Sequence, residues 1–106
     1  MKVPLFHWSP GPRRLSISVN GLVPGSEPTI VTEAVPYICL GSDPATIWAL
    51  TGELPWTARG EWDLWQVWLD DEIDVRIVVL DGDIVEIRVY ENIPSAQLWL
   101  VGTRVN

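Results

Sequence analysis

The sequence predicts one α+β domain spanning residues 1–106, and two observations carry this prediction. Of the 106 residues, 47% are apolar, which is enough for the core of a single domain. Strand-like and helix-like segments alternate in the first half of the chain, whereas the second half contains only strand-like segments. This order is typical of an α+β domain with antiparallel strands and not of a doubly wound parallel sheet.

The first predicted elements are a strand over residues 3–8 and a helix that follows it. Ser9 is a typical N-cap residue, and Pro10 suits the first turn of a helix. Apolar residues then recur at helical spacing up to the pair Asn20-Gly21, which is a typical helix stop. We therefore expect the first helix to begin directly after Ser9 and to end before Gly21.

A second strand and a second helix are predicted after a loop over residues 23–34, which is rich in proline, glycine and serine. Residues 35–40 form an apolar run of strand length. Asp43 and Pro44 repeat the pattern of a cap followed by proline, so they predict a second helix start. This helix is expected to end at Gly52.

The second half of the chain is predicted to form antiparallel strands. A loop over residues 53–61 precedes them, and Asp81-Gly82 is a strong signal for a two-residue hairpin because both turn positions need a positive φ. The predicted strands cover residues 62–69, 74–80, 83–90 and 97–103.

Glu86 lies among aliphatic residues in this predicted hairpin. A two-residue turn puts Glu86 on the same sheet face as Ile77 and Val79. A carboxylate beside aliphatic neighbours is typical of a cleft, and a solvated sheet face with scattered apolar residues gives the same pattern. Both interpretations stay open on spacing alone.

Charge and cysteine content exclude several classes of site. The net charge is −7 with only seven Lys and Arg, so the chain lacks the basic face that nucleic-acid binding needs. The single cysteine, Cys39, excludes an internal disulfide and every metal site built from several cysteines. The acidic run 70–74 lacks the glycine and the ligand spacing of a calcium loop, so it predicts a solvated turn and no metal. Since no signal segment or long apolar span is visible, we expect a cytoplasmic protein without a membrane partner.

Few side chains remain that could carry chemistry. The chain has one histidine, His7, and a lone histidine is more often structural than functional. Tyr37 lies in a predicted strand, where a half-buried tyrosine is ordinary. Spacing alone therefore predicts a small soluble α+β domain with one histidine and indicates no particular reaction.

The first half of the chain carries two segments that resemble motifs of a known family. Residues 5–9 (LFHWS), followed by a predicted helix and by residues 20–22 (NGL), resemble the first motif of the histidine–tyrosine–glutamate ADP-ribosyltransferases. This family includes the poly(ADP-ribose) polymerases. Residues 36–40 (PYICL) resemble its second motif, a strand whose tyrosine stacks on nicotinamide. Trp48 stands eleven residues after Tyr37, where the polymerases supply a second ring.

The third motif of that family is a strand that opens with the catalytic glutamate. Residues 86–91 (EIRVYE), followed by residues 97–101 (QLWLV), resemble it, with a tyrosine four residues after the glutamate. The third-motif residue is Glu86 and not Glu91. The resemblance thus extends in order from residue 5 to about residue 101.

The resemblance implies a fold and an NAD site. The implied fold is an ADP-ribosyltransferase-like split antiparallel β-sheet core with two short helices. His7 would hydrogen-bond the adenosine-side ribose, and the backbone around Trp8 and Ser9 would face the nicotinamide amide. Tyr37 and Trp48 would hold the nicotinamide ring between them, as flat aromatic rings do with a flat ligand.

The resemblance also implies a catalytic set and a reaction. His7, Tyr37 and Glu86 would be the catalytic residues, with Glu86 bonding the nicotinamide-side ribose and stabilising positive charge at its anomeric carbon. The chain departs from the motifs at Trp8, where the family has glycine, and at Ala45, where it has serine.

Three functions are open at this point. The first is an NAD-dependent mono-ADP-ribosyltransferase that cleaves the nicotinamide–ribose bond and passes ADP-ribose to an unknown acceptor, a protein or a small molecule. The second is a catalytically silent nucleotide- or protein-binding module of phage or toxin-system type that acts by sequestration. An acidic surface with exposed tryptophans would suit a basic partner in that case. The third is a structural domain in which His7 is merely packed.

Overall fold

Six strands form two three-stranded antiparallel sheets in the computed structural model, which describes residues 4–25, 35–51, 60–79 and 85–105. The strands are β1 (Leu5–Pro10), β2 (Ile38–Leu40), β3 (Glu61–Val67), β4 (Val75–Val79), β5 (Val85–Val89) and β6 (Leu98–Val105), and the helices are α1 (Arg14–Asn20) and α2 (Pro44–Thr51). The first sheet has the order β1-β3-β6 and the second the order β2-β5-β4. The predicted α+β class with antiparallel strands is confirmed.

The two sheets meet at one bridge between β1 and the end of β2. The Phe6 amide donates to the Gly41 carbonyl at 2.7 Å, and the Gly41 amide donates back to the Phe6 carbonyl at 3.0 Å. Buried apolar residues from both sheets form a cluster on either side of this bridge. The split between β1 and β2 therefore lies in the middle of the molecule.

The predicted start of the first helix at Ser9 and Pro10 is wrong. Both residues belong to β1, and a short 3-10 helix over Gly11–Arg13 precedes α1. The Ser9 hydroxyl is buried and accepts a 2.9 Å hydrogen bond from the Trp65 indole. This contact with β3 stabilises Ser9 in the strand, although the local sequence pattern is that of a helix N-cap.

The other helix signals agree with the structure. The first helix ends at Asn20, and Gly21 follows with φ of 76°, as predicted from the Asn20-Gly21 pair. At the start of α2 the Ala45 amide donates to the Asp43 carboxylate at 3.1 Å, which confirms Asp43 as the cap. The predicted stop at Gly52 lies outside the described residues.

The strands agree with the predictions in number and order but differ at some ends. The second strand is shorter than predicted, since only Ile38–Leu40 pair, and the last strand runs on to Val105. The acidic run after β3 is a turn, as predicted, in which the Ile73 amide donates to the Asp70 carbonyl at 3.1 Å. Most of the predicted loops and the Asp81-Gly82 turn lie outside the described residues. Among the helices that are described, none is long and apolar enough to cross a membrane.

The predicted face of Glu86 is wrong. In the β4–β5 pair, Val79 lies opposite Val85 and Val78 lies opposite Glu86. This register is shifted by one residue from that of a hairpin with Asp81-Gly82 at its tip. Because side chains alternate along a strand, the shift moves Glu86 away from the face of Ile77 and Val79.

The second sheet consequently has one apolar face and one polar face. Its apolar face packs in the main core cluster with Ile17 of α1. The residues of this face are Ile38, Leu40, Ile87 and Val89. Cys39, Glu86 and Arg88 lie on the opposite face, where the candidate site is built.

Candidate functional site

A row of four contacting side chains lies on the polar face of the second sheet: Tyr37, Arg88, Glu86 and Cys39, hereafter the polar row. Cys39 is directly opposite Arg88 in the β2–β5 pair, and Tyr37 and Glu86 lie two residues from them on their own segments. The Arg88 guanidinium carbon stands 4.5 Å from the centroid of the Tyr37 ring. The Arg88 Nε donates to Glu86 Oε1, and the Cys39 thiol donates to Glu86 Oε2 at 2.7 Å.

The polar row is almost completely buried. Tyr37 is 1% exposed, and the side chains of Arg88 and Glu86 are 6% and 5% exposed. A buried ion pair is stable only while both partners remain, because removal of one leaves an uncompensated charge. Arg88 and Glu86 therefore depend on each other, and a ligand for either must offer an equivalent partner.

Cys39 is protonated in this environment. Burial, followed by the negative charge of Glu86, raises the pKa of the Cys39 thiol far above its usual range. The thiol therefore keeps its proton, donates a hydrogen bond to Glu86 and is not an activated nucleophile. Sequence reasoning missed this role because Cys39 lies in an apolar run; its position two residues after Tyr37 is the signal that could have placed it on the same face.

The Cys39 thiol is expected to make stability fall with pH in alkaline solution. An unfolded thiol loses its proton at about pH 8.5, whereas folded Cys39 keeps it because its pKa is raised. The folded state then binds more protons, so its stabilisation is complete below pH 8.5 and falls above it, by about 1 kcal/mol between pH 8.5 and 9.5. Urea unfolding at the two pH values measures this loss.

The control for the thiol is Cys39→Ala. In this variant the change in the free energy of unfolding between pH 8.5 and 9.5 should be smaller than in the wild-type chain by the same amount. An equal pH dependence in the wild-type chain and in Cys39→Ala would show that the thiol does not titrate on unfolding.

His7 joins the polar row through the main chain of β2. Its ring is fully buried, and Nδ1 lies 2.8 Å from the carbonyl oxygen of Cys39. Since a carbonyl only accepts, Nδ1 carries the proton. The backbone bridge between Phe6 and Gly41 is isolated, so β1 and β2 do not continue as a paired ladder beyond it. The hydrogen bond from His7 to Cys39 connects the two strands at the point where they separate.

Trp48 lies in a cluster of indoles between α2 and the first sheet. Its ring centroid is 5.1 Å from that of Trp8 and 5.3 Å from that of Trp62, in edge-to-face arrangements, and the Arg104 guanidinium carbon lies 4.1 Å from its centroid. Tyr37 belongs to the same buried apolar cluster, but its ring contacts Arg88 and Tyr90. A nicotinamide held between Tyr37 and Trp48 stays a prediction.

Trp8 and Ser9 are both engaged with the surrounding protein. The Trp8 indole donates to the Pro44 carbonyl at 2.9 Å, which ties β1 to the start of α2. The Ser9 hydroxyl is the acceptor for Trp65, and its backbone lies opposite Asp63 in the first sheet. The large residue in place of the family's glycine is thus part of the packing between β1 and α2.

A pocket of about 490 Å³ lies at the edge of the second sheet, next to β4. It is lined by Val35, Asp74, Val75, Arg76 and Tyr90. The Tyr90 ring is 6.1 Å from that of Tyr37, and Arg76 lies opposite Arg88 in the β4–β5 pair. Sequence reasoning missed Arg76 and Arg88, because their proximity depends on the register of three strands.

A second polar cluster holds α1 on the first sheet. Asp63 is fully buried and accepts hydrogen bonds from the Arg14 guanidinium at 2.7 and 2.9 Å and from Thr103 at 3.0 Å. The bond to Asp63 raises the pKa of Arg14 above its usual range. Asp63 has no access to solvent and its contacts are all internal ones, so we assign this cluster to the architecture of the first sheet.

Comparisons with family models, curated proteins and solved structures found no match to the chain. Within the described ranges, no three His, Cys, Asp or Glu side chains come together as a group that could hold a metal ion.

Proposed function

We propose that the chain is an NAD-dependent mono-ADP-ribosyltransferase that cleaves the nicotinamide–ribose bond of NAD. The observation that carries the proposal is the convergence of His7, Tyr37 and Glu86. These residues come from three distant segments, and contacts with Cys39 and Arg88 connect them. They are the three residues that the motif resemblance implies as the catalytic set.

The architecture supports the same proposal. The resemblance implies a split antiparallel sheet with two short helices, and the chain forms two antiparallel sheets that meet at one bridge, with α1 and α2 beside them. The three residues lie beside this split, on β1, next to β2 and on β5.

The side chains of the polar row supply the chemistry that this reaction needs. The face of the Tyr37 ring can stack on nicotinamide, which is flat and carries a positive charge in NAD. Glu86 can bond a ribose hydroxyl and stabilise the oxocarbenium-like charge that develops as nicotinamide leaves. Its buried position strengthens this electrostatic effect, because water screens it little. The acceptor is a protein or a small molecule, and the acidic chain favours a basic one.

The proposal is tested by titrating the protein with NAD while following tryptophan fluorescence and nicotinamide release in the same samples. We expect quenching together with release, and about a tenfold or greater loss of NAD affinity in Tyr37→Leu, because the stacking surface is removed. Tyr37→Phe keeps the ring and is expected to bind NAD within about threefold of the wild-type chain. Absence of both signals at millimolar NAD would refute the proposal.

The alternative, a silent module that binds a nucleotide or a protein, is favoured by one observation. Both carboxylate oxygens of Glu86 are engaged by side chains of the chain itself, Arg88 and Cys39. Quenching by NAD without nicotinamide release would support this alternative over the transferase.

A further inference from the structure

A flat cation of the chain itself lies on the Tyr37 ring. The Arg88 guanidinium carbon is 4.5 Å from the ring centroid, and its Nε donates to Glu86. We call the space between the Tyr37 ring and Glu86 the cation slot. The guanidinium that fills it is almost completely shielded from solvent, since the Arg88 side chain is 6% exposed.

Nicotinamide in NAD shares two properties with this guanidinium: it is flat and it is positively charged. The face of a tyrosine ring attracts such a group, and a carboxylate beside the ring adds to the attraction. The proposed function assigns the Tyr37 ring to nicotinamide and Glu86 to the attached ribose. Arg88 and the nicotinamide end of NAD therefore require the same two groups.

The cation slot cannot hold both. Each stacked layer needs about 3.5 Å of van der Waals separation, so a ring inserted beside Tyr37 would push the guanidinium to about 7 Å. The guanidinium carbon is 4.5 Å from the Tyr37 centroid. Nicotinamide can stack on Tyr37 only after Arg88 has left.

We infer that Arg88 is an internal competitor for the nicotinamide position, an inference that rests on the proposed function. While Arg88 fills the slot, the site is closed and Glu86 is unavailable to the ribose. The apparent affinity for NAD is then lowered by the fraction of molecules in which the slot is vacant. Departure of Arg88 frees the stacking surface and the carboxylate in one event.

The test compares the NAD affinity of Glu86→Gln with that of the double variant Glu86→Gln/Arg88→Met. The Gln background prevents turnover, and it removes the carboxylate that Arg88→Met alone would leave buried and unpaired. Methionine keeps the apolar length of arginine without its planar charge. We expect the Kd for NAD, measured by fluorescence, to be about tenfold lower in the double variant, because no cation competes for the slot.

Two further measurements complete the test. Glu86→Gln/Arg13→Met is the control for the loss of one arginine, since Arg13 lies on the 3-10 helix Gly11–Arg13, away from the polar row and the pocket; its Kd should equal that of Glu86→Gln. Nicotinamide alone should raise the Tm of the double variant more than that of Glu86→Gln. If circular dichroism shows that the methionine variant does not fold, Glu86→Gln/Arg88→Gln takes its place in the same comparison.

The outcomes separate this inference from the proposed function. An equal or higher Kd in the double variant overturns the inference, even if the wild-type chain releases nicotinamide. If NAD and nicotinamide both bind the double variant more tightly while the wild-type chain releases no nicotinamide, Arg88 remains a competitor for the site and the transferase proposal is refuted. Failure of both probes to bind any variant overturns both.

Discussion

Glu86→Gln is expected to lower the rate of nicotinamide release from NAD by at least about 100-fold, which corresponds to the loss of one well-placed electrostatic group in a transition state. In the proposed reaction, the charge that Glu86 would stabilise develops only as the nicotinamide–ribose bond breaks, so the effect should appear in kcat. Because Glu86→Gln leaves the Arg88 guanidinium buried without its carboxylate, circular dichroism first checks that the variant is folded. In the folded variant, quenching of tryptophan fluorescence by NAD should remain, because the Tyr37 ring is unchanged. Release measured under saturating NAD checks the rate, and the titration checks the binding.

Glu91→Gln is the matched control for this variant. Glu91 lies five residues after Glu86 and is exposed. The substitution Glu91→Gln therefore removes the same charge from the chain and leaves the polar row unchanged. Its release rate should stay within about twofold of the wild-type rate, as for an exposed side chain away from the site. If Glu86→Gln and Glu91→Gln released nicotinamide equally fast, Glu86 would have no catalytic role.

Gly21→Ala is expected to destabilise the fold by about 4 kcal/mol, the largest stability effect that we expect from a single added methyl group. Gly21 has φ of 76°, and a Cβ at this position would lie 2.0 Å from the carbonyl oxygen of Ile93. That carbonyl accepts from the Leu22 amide at 3.0 Å, and the Ile93 amide donates back at 2.9 Å. The methyl group therefore strains the backbone and separates a bridge between two fully buried core residues.

Urea unfolding of Gly21→Ala beside Gly102→Ala measures this effect. A Cβ at Gly102 meets no atom within 4 Å, so its substitution should change the free energy of unfolding by less than about 1 kcal/mol. A similar small change in Gly21→Ala would mean that the Leu22–Ile93 bridge tolerates a shift of its backbone.

Local signals predicted the parts of the fold that depend on a few neighbouring residues. Asn20-Gly21 and Asp43-Pro44 identified a helix end and a helix start because caps act over one turn. Ser9 carried the same kind of signal and was misread. Its hydroxyl is bound by Trp65, 56 residues away, and no local pattern contains that partner.

The candidate site was predictable only where a motif resemblance selected residues. Tyr37 and Glu86 were singled out in this way, and they lie in one row. The roles of Arg88 and Cys39, which connect them, could not be predicted, because these roles arise from the pairing of β2 with β5. The β4–β5 register differs by one residue from the register that the Asp81-Gly82 turn predicts, so Glu86 lies on the opposite face of the sheet from the one predicted. The turn sequence alone does not indicate this shift.

The edge-to-face contacts among Trp8, Trp48 and Trp62 have an optical consequence. Rings about 5 Å apart exchange excitation energy faster than they emit light, so the three indoles behave as a single chromophore. A quencher beside any one ring then darkens the emission of all three. A fluorescence change on adding NAD consequently cannot assign the ligand to one ring of this cluster, and the position of the ligand must come from the variants of Tyr37 and Arg88.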